Sequence, residues 1–406
     1  MINRQSSNDL TVWRLLILAV GTFVLGVDGF VLPGLLPHVA ADLSVSLATA
    51  GQLTTAFAIA YAVGSPIIAT ATGRMDRRVV IGAGMFAFLA GMVLQAAGPS
   101  YAAVLAGRVV AGLGAAAFQA NAFAVAGVLS RPDRRARSFA MIGAGSSLAS
   151  VVGVPFGLLV GQWLGWRGAL WTIAALAAAA AVLAAAGLPS VTLPATSLRS
   201  RLAVLVDPRV LVLLVVSALV LAPLYLVSSY AAVVVGVSTS ADGAVLAALF
   251  VFGTGFFLGN RLVGRFADRF DSLTSLTAAL TVAIFANVVL GVVQHWFVPT
   301  LAALFVLGLV GSFLFIPQAD RVFVAGGDVA TVALSLNGAM AYVGTAIGAT
   351  LGGVVLSVAG VLWLAPAAAV LAAVVLGVTR LTAPERRTAA GRPEPAAHAP
   401  SEAVRP

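Results

Sequence analysis

Two charged residues lie inside apolar stretches of the sequence, and the first of them could bind and release protons. Asp28 is flanked by valines and leucines, and Arg108 lies in a run of alanine, glycine and valine. Burial disfavours the charged form of a carboxyl group, so such a group can bind and release protons near neutral pH. Arg108 could neutralise an ionised Asp28 and be released when a proton or a cationic substrate arrives. The alternatives are structural: Asp28 could only accept a hydrogen bond, and Arg108 could be a strut that caps carbonyl groups.

The elements that must position these residues are membrane-spanning helices. Of the 406 residues, 61% are hydrophobic and only 9% are charged, whereas about a quarter of the residues in soluble globular proteins are charged. The hydrophobic residues suffice for twelve spans, since each transmembrane helix needs about 20 apolar residues. This composition excludes a soluble globular domain, a nucleic-acid-binding protein and a disordered chain. It predicts an all-α polytopic membrane protein in the lipid bilayer.

Twelve candidate spans can be read as apolar runs between charged residues or breaks rich in glycine and proline. They lie at 12–36, 48–71, 79–98, 101–129, 139–164, 169–188, 209–234, 243–263, 273–293, 299–323, 331–357 and 362–380. We therefore predict two six-helix bundles at 1–188 and 209–380, joined by a cytoplasmic loop at 189–208. The tail at 381–406 is rich in proline, alanine and arginine, so we expect it to be disordered in the cytoplasm.

The arginines predict the orientation of the spans. All 23 basic residues are arginine, and all but Arg108 and Arg167 precede odd-numbered spans or follow even-numbered ones. Arginine is enriched in cytoplasmic loops. We therefore expect both termini in the cytoplasm and a multi-pass protein of the inner (plasma) membrane. The net charge of +9 is then a topology signal, and no nucleic-acid partner is expected.

Missing residue types narrow the chemistry further. The absence of lysine excludes a P-loop ATPase and Schiff-base catalysis. The absence of cysteine and the scatter of the three histidines lead us to expect no cofactor and no metal site. A nucleophile set for an intramembrane enzyme and a polar ring for a channel are not found. We therefore predict a carrier that is not an enzyme and that acts as a monomer.

Glycines spaced by four residues recur in the two halves of the sequence. They are Gly153, Gly157 and Gly161 in the fifth span and Gly344, Gly348 and Gly352 in the eleventh. The segment from Gly73 to Arg78 after the second span has a partial counterpart in Asp268 and Arg269 after the eighth. This repeat predicts two related halves in parallel orientation. Glycines at this spacing let helices approach closely, as either a static contact or a moving interface.

Several motifs, in this order along the chain, resemble those of one transporter family. They are Gly34-Leu35-Leu36-Pro37 with Ala50-Gly51-Gln52-Leu53, the loop from Gly73 to Arg78, Arg108-Val-Val-Ala-Gly112, Gly153-Val154-Pro155-Phe156-Gly157 and Gly165-Trp166-Arg167. The family is the major facilitator superfamily, in its twelve-helix drug/proton antiporter branch, which includes chloramphenicol-resistance exporters and purine or sugar efflux pumps. The chain departs from the family pattern at Gly73, where an acid is usual, at Asp76, where glycine is usual, and at Val154.

The resemblance implies two bundles related by a pseudo-twofold axis that alternate access around a central cavity. The expected function is secondary active efflux of a small organic molecule or drug in exchange for protons, as in multidrug resistance. Asp28 and Arg108 would then belong to the proton-coupling machinery. Conformational or gating residues would be Arg74, Asp76, Arg77, Arg78, Gly153, Pro155, Gly157, Asp268 and Arg269.

The substrate candidates are polar and aromatic residues within the spans. They are Gln52, Phe57, Tyr61, Gln119, Asn121, Tyr225, Tyr230, Phe256, Asn260, Gln318, Asn337 and Tyr342. A cavity lined in this way suits an uncharged or amphipathic small molecule. The sequence leaves two alternatives open, an uncoupled facilitator and an exporter of purines, nucleosides or sugars.

Overall fold

The computed structural model describes residues 4–129, 135–192, 207–241, 243–267, 269–326 and 330–382, and these residues are almost entirely helical. The helices are α1 (Arg4–Asp42), α2 (Leu47–Ala71), α3 (Arg77–Ala97), α4 (Tyr101–Leu129), α5 (Arg135–Leu148), α6 (Val154–Gly187), α7 (Pro208–Val220), α8 (Ala222–Ser228), α9 (Ala231–Gly236), α10 (Ala244–Ala267), α11 (Ser272–Val293), α12 (Phe297–Gly326), α13 (Ala330–Val358) and α14 (Leu364–Leu381). A π-helical turn (Ala149–Gly153) joins α5 to α6, and a 3₁₀ turn (Val361–Trp363) precedes α14.

Eleven stretches of the described chain are long and apolar enough to cross a membrane. One of them, Pro155–Gly187, spans 33 residues and contains a break at Gly165, where φ is +70° and ψ is 173°. Side chains other than glycine rarely tolerate this φ. The chain can therefore reverse its direction at Gly165.

Contacts on either side of Gly165 show that α6 makes two crossings. Arg167, just after the break, contacts Asp42 at the end of α1 and the carbonyl group of Gly98 at the end of α3. Val191, beyond the end of α6, donates its backbone N–H to Asp76 at the start of α3. The part of α6 after Gly165 therefore returns across the membrane. The fifth crossing combines α5, the π-turn and the start of α6, and twelve crossings result, as predicted.

The seventh crossing differs from the continuous span predicted at 209–234, because it is divided into α7, α8 and α9. Pro223 is the cause of the first break, since proline has no N–H to donate to the carbonyl group of Leu219, four residues earlier. A second break falls at Ser229 and Tyr230, between α8 and α9. This crossing therefore has irregular backbone at two positions, near its middle and towards its arginine-poor end.

The twelve crossings form two six-helix bundles, α1–α6 (the first half) and α7–α14 (the second half). The halves meet where α2 packs on α13, and where α1, the π-turn and α6 pack on α9 and α10. We call the membrane face with Arg74, Arg78, Arg209 and Arg269 the arginine-rich face. The opposite face, with Arg167, is the arginine-poor face.

Candidate functional site

Asp28 and Arg108 form an ion pair that is closed off from solvent. Nη1 of Arg108 donates to both carboxylate oxygens of Asp28 at 2.7 Å, and the side chains of Arg108 and Asp28 are 2% and 0% exposed, respectively. Nε of Arg108 donates to the carbonyl oxygen of Leu53 at 3.3 Å. The guanidinium carbon lies 4.6 Å from the centre of the Phe57 ring. The guanidinium group therefore joins α4 to both α1 and α2.

Small residues on α4 allow this arrangement. A Cβ atom at Gly112, one turn after Arg108, would lie 2.6 Å from the carbonyl oxygen of Phe57, so only glycine lets α2 and α4 come this close. This approach brings the Leu53 carbonyl group and the Phe57 ring within reach of Arg108. The small residues of α4 near Arg108 therefore serve helix packing.

An aromatic cluster connects the ion pair to the second half. The ring of Tyr61 on α2 stacks on that of Tyr342 on α13, with centroids 3.7 Å apart, and the Phe57 ring lies 6.2 Å from that of Tyr342. Tyr225 on α8 packs against Gly348 on α13. These four predicted substrate residues thus lie on α2, α8 and α13. Phe57 is the member of the cluster that contacts the ion pair.

Two further predicted residues, Gln52 and Tyr230, lie where the halves meet towards the arginine-poor face. Tyr230 is fully buried, and its hydroxyl group donates to the carbonyl oxygen of Ala349. The Thr55 and Thr350 hydroxyl groups are 3.1 Å apart across the two halves, and Thr350 also contacts Gln52 at 3.5 Å. These residues close the contact between α2 and α13.

The other substrate candidates are distributed over separate places. The Phe256 ring lies 5.8 Å from that of Phe30 on α1, and Asn260 donates to Ser147 on α5 at 2.8 Å, so both bridge the halves. Gln119 is half-buried on α4. Asn121 lies about 20 Å from Arg108 along α4, at 1.5 Å per residue.

Asn337 and Gln318 belong to a polar network inside the second half that contains no carboxylate, and Arg321 donates to Gln318 at its edge. Ser217 donates to Asn337 at 2.6 Å, and Gln318 donates to Ser217 at 3.0 Å and to the Leu213 carbonyl oxygen at 2.7 Å. All three side chains are nearly fully buried. The network joins α7 to α12 and α13 and is separate from the aromatic cluster.

The loop between α2 and α3 is anchored within the first half. Arg77 is 6% exposed and donates to Asn121 at 2.9 Å and to the carbonyl oxygens of Gly73 and Thr72. Asp76 caps α3 through the N–H of Arg78 and accepts the N–H of Val191. The described partners of Arg77 and Asp76 all belong to the first half.

Hydrogen bonds also perturb the acidity of Asp76. The Ser190 hydroxyl group and the N–H groups of Val191 and Arg78 lower the pKa of Asp76 below its usual value of 3.8. Asp76 therefore remains ionised at neutral pH and holds the end of α6 against the start of α3.

The remaining gating candidates differ in position. Arg78 donates to the Ala185 carbonyl oxygen near the end of α6, and Arg74 is exposed. Arg269 is exposed after α10. Asp268 lies outside the described residues.

Both glycine series pack within their own half. Cβ atoms at Gly153 and Gly157 would meet Val27 and Val31 of α1, and Pro155 begins α6 between them. The matching series contacts carbonyl oxygens of α7 and α8, through Gly344, Gly348 and Gly352. The repeat is thus used for corresponding helix contacts in the two bundles.

Contacts between the halves involve residues that the sequence did not single out. A Cβ atom at Gly253 on α10 would lie 1.9 Å from the carbonyl oxygen of Ser150, and the Ser150 hydroxyl group donates to the Gly253 carbonyl oxygen at 3.3 Å. The π-turn that contains Ser150 (Ala149–Gly153) ends at the predicted Gly153–Pro155 motif. This motif could have pointed to an irregular helix, but the partner on α10 has no local signal.

Beside the aromatic cluster, an apolar groove of about 390 Å³ runs between α2 and α13. Its rims include Ile59 and Val63, which are more than half exposed. Its threonines, Thr55 and Thr350, hydrogen-bond to each other. This groove therefore faces lipid and does not include the ion pair.

The fold consists of two six-helix bundles, with a buried ion pair in the first and a broken seventh crossing in the second, and such a fold is typical of a membrane carrier. The family model described as "Major Facilitator Superfamily" matches residues 18–327, about three quarters of the chain. The protein belongs to this superfamily and is a multi-pass membrane transporter of small molecules, not an enzyme.

Individual relatives agree with this assignment. The chain is 36% identical over 261 residues to a chloramphenicol resistance protein of Streptomyces lividans, covering 63% of this chain and 67% of that protein. It is 24% identical to a probable sugar efflux transporter of Mannheimia succiniciproducens, covering 92% and 94% of the two chains. A solved structure of the nucleoside transporter NupG, in a mutant form, matches with a TM-score of 0.74 at 13% identity, covering 92% of this chain and all of that one. The last likeness shows the shared fold.

Proposed function

We propose that this protein is a secondary active exporter that moves a small organic molecule or drug out of the cell in exchange for protons. The observation that carries the proposal is the buried ion pair of Asp28 and Arg108. A charged side chain in the membrane costs about 2.5–3.5 kcal/mol on insertion scales, so a pair retained there indicates a function.

The geometry supports a two-state switch. When Asp28 is ionised, one nitrogen of Arg108 holds both of its oxygens at 2.7 Å. When Asp28 binds a proton, this charge attraction is lost, and Arg108 keeps the Leu53 carbonyl group and the Phe57 ring as partners on α2. Protonation therefore weakens the contact between α1 and α4 and leaves that between α2 and α4 intact. This differential contact is what shifts a conformational equilibrium.

The aromatic cluster would carry this change to the second half. Phe57 contacts both Arg108 and Tyr342, and Tyr342 stacks on Tyr61 across the two halves. A substrate held by these rings would be uncharged or amphipathic, since Asp28 is the only carboxylate near them among the described residues. We also infer that the arginine-rich face is cytoplasmic, because arginine is enriched in cytoplasmic loops.

The relatives supply the substrate classes to test. A chloramphenicol resistance protein and a probable sugar efflux transporter suggest phenicols and sugars, and purine bases and nucleosides complete the panel. An uncoupled facilitator is the alternative. The full enclosure of the ion pair favours this alternative, because Asp28 is closed off from the solvent that would supply its proton. In that case Asp28 would only orient Arg108.

Uphill transport distinguishes the two functions. Inverted membrane vesicles that contain the protein are energised, and accumulation of each labelled compound is measured with and without an uncoupler. We expect one class to accumulate in an uncoupler-sensitive manner in the wild type and in Asp42→Asn, and not in Asp28→Asn. Asp42 is the matched control, because it also pairs with an arginine, Arg167, but at the surface. Accumulation by Asp28→Asn, or wild-type transport indifferent to uncouplers, would refute proton coupling.

A further inference from the structure

A second cavity lies between the halves at the arginine-poor face. It has a volume of about 300 Å³ and is lined by α1 and α6 of the first half and by α9, α10 and the segment before α10 in the second half. It is separate from the ion pair and from the aromatic cluster. Because both halves line it, its shape must change whenever the halves move relative to each other.

The lining combines small apolar residues with two polar side chains. Gly34, Gly161, Ala232 and Ala241 leave the volume open, and His38 and Gln162 contribute the ring nitrogens and the amide. Both polar side chains are exposed, and neither has a hydrogen-bond partner among the described residues, so both are accessible to a molecule that enters the cavity. The described lining includes no carboxylate and no guanidinium group. The cavity therefore matches a molecule with an apolar body, a hydrogen-bonding edge and no charge.

The position of the cavity along α1 relates it to the ion pair. His38 follows Asp28 by ten residues on the same helix, which places it about 15 Å further towards the arginine-poor face. A molecule that leaves the level of the ion pair in this direction reaches His38 before it passes the exposed pair of Asp42 and Arg167.

We propose that this cavity is an exit-side binding site for the exported molecule, with His38 and Gln162 as its hydrogen-bonding groups and an uncharged amphipathic compound as its ligand. The inference rests on the proposed export function, because it assumes that substrate leaves at the arginine-poor face. It adds a second site and the two residues that determine its preference for an uncharged ligand.

The absence of cysteine from the natural sequence provides a direct test. Ala241→Cys places a single thiol in the cavity, and Ala359→Cys places one at an exposed position of the same face, between α13 and the 3₁₀ turn, outside the cavity lining. Each purified variant in detergent is treated with a maleimide while chloramphenicol, an uncharged aromatic amide, is titrated. We expect chloramphenicol to slow labelling of Ala241→Cys at least fivefold and to leave Ala359→Cys unchanged.

The polar groups are tested in the same background. His38→Ala or Gln162→Ala, added to Ala241→Cys, should raise the half-protecting concentration about tenfold, which corresponds to 1.4 kcal/mol. Trp163→Ala is the control for Gln162→Ala, because the neighbouring Trp163 is 81% exposed and does not line the cavity. Equal protection of both cysteine variants, or no protection at saturating chloramphenicol, would overturn the exit-side site.

The labelling and transport experiments together distinguish failure of the exit-side site from failure of the proposed export function. Proton-driven export of chloramphenicol without protection of Ala241→Cys would overturn the cavity proposal alone. Protection that depends on His38 and Gln162, in a protein that shows no proton-driven export, would support the binding site and refute the coupling.

Discussion

The two halves share a fold but are held together internally by different chemistry. In the first half, α1 and α4 are joined by a charged pair, Asp28 and Arg108. In the second half, α7 is joined to α12 and α13 by uncharged groups, Ser217, Gln318 and Asn337. Both ion pairs found in the described part of the chain belong to the first half.

Under the proposed coupling, the pair in the first half includes a carboxyl group that can respond to protons, whereas the network of Ser217, Gln318 and Asn337 in the second half includes none. The hydroxyl and amide groups of the second half keep the same charge at any physiological pH, so their hydrogen bonds do not change with protonation. A single proton on Asp28, in contrast, removes the main contact of Arg108. Under the proposed coupling, the first half would therefore carry the proton-dependent contact, and the network of Ser217, Gln318 and Asn337 would stay unchanged.

The largest expected effect comes from removing one charge of the buried pair. Arg108→Ala leaves Asp28 without a partner inside the bundle, and loss of one member of a buried pair costs about 3–5 kcal/mol. We expect a large fall in the thermal midpoint of the purified protein in detergent. The double variant Asp28→Asn with Arg108→Ala should recover part of that stability but no uphill transport. A single variant as stable as the wild type would contradict the buried pair.

A smaller effect is expected in the second half. Asn337→Ala removes one acceptor of Ser217, which keeps the Leu213 carbonyl oxygen as the other, and loss of one such hydrogen bond costs about 0.5–1.5 kcal/mol. We expect lower stability with an unchanged number of protons moved per substrate, measured in proteoliposomes. A change in this stoichiometry would show that the second half also takes part in coupling and would break the comparison.

The surface pair of Asp42 and Arg167 tests which property of Asp28 matters for proton coupling: its burial or its pairing with an arginine. Asp42 is 46% exposed in its pair with Arg167, and exposed pairs contribute about 0–1 kcal/mol. Asp42→Asn should therefore change the thermal midpoint little and leave the proton dependence of transport intact. Loss of proton coupling in Asp42→Asn would indicate that the coupling proton binds at Asp42, on the arginine-poor face, and not at Asp28.

The smallest effect concerns the loop anchor at Asp76. Its pKa is lowered from 3.8 in the folded protein, so its contribution to stability is complete above that value and is lost as the pH falls through the lowered pKa. Wild-type stability should thus lose an increment below about pH 4, and Asp76→Asn should lack that increment. Identical acid titrations of the two proteins, followed by thermal midpoint, would contradict this role.

Much of the fold could be predicted from the sequence because apolar length and arginine placement act locally. The twelve crossings and the two halves follow from these patterns. The division of the seventh crossing was missed, although Pro223 is a visible signal, because a hydropathy pattern does not register a missing N–H group. The reversal at Gly165, in contrast, was predicted, because the break between the fifth and sixth spans was placed at 165–168.

The candidate site was predictable only in part. Asp28 and Arg108 could be paired because charges inside a membrane need partners, and few are available. Asn121 has the same polar character as a cavity residue, yet it binds Arg77, a contact between segments that no local pattern specifies. The same holds for Tyr230, which fits against Gly51 and Gly353, and for Thr55 and Thr350.

The most direct test of the central claim is proton release from the purified protein when substrate is added. The wild type and Asp28→Asn are held in weakly buffered detergent, and phenicols, purine bases, nucleosides and pentoses are added in turn, with binding followed by melting shifts. The account predicts that one class releases protons from the wild type and binds to Asp28→Asn without release. Binding to the wild type without proton release, or equal release from Asp28→Asn, would contradict a coupling role for Asp28.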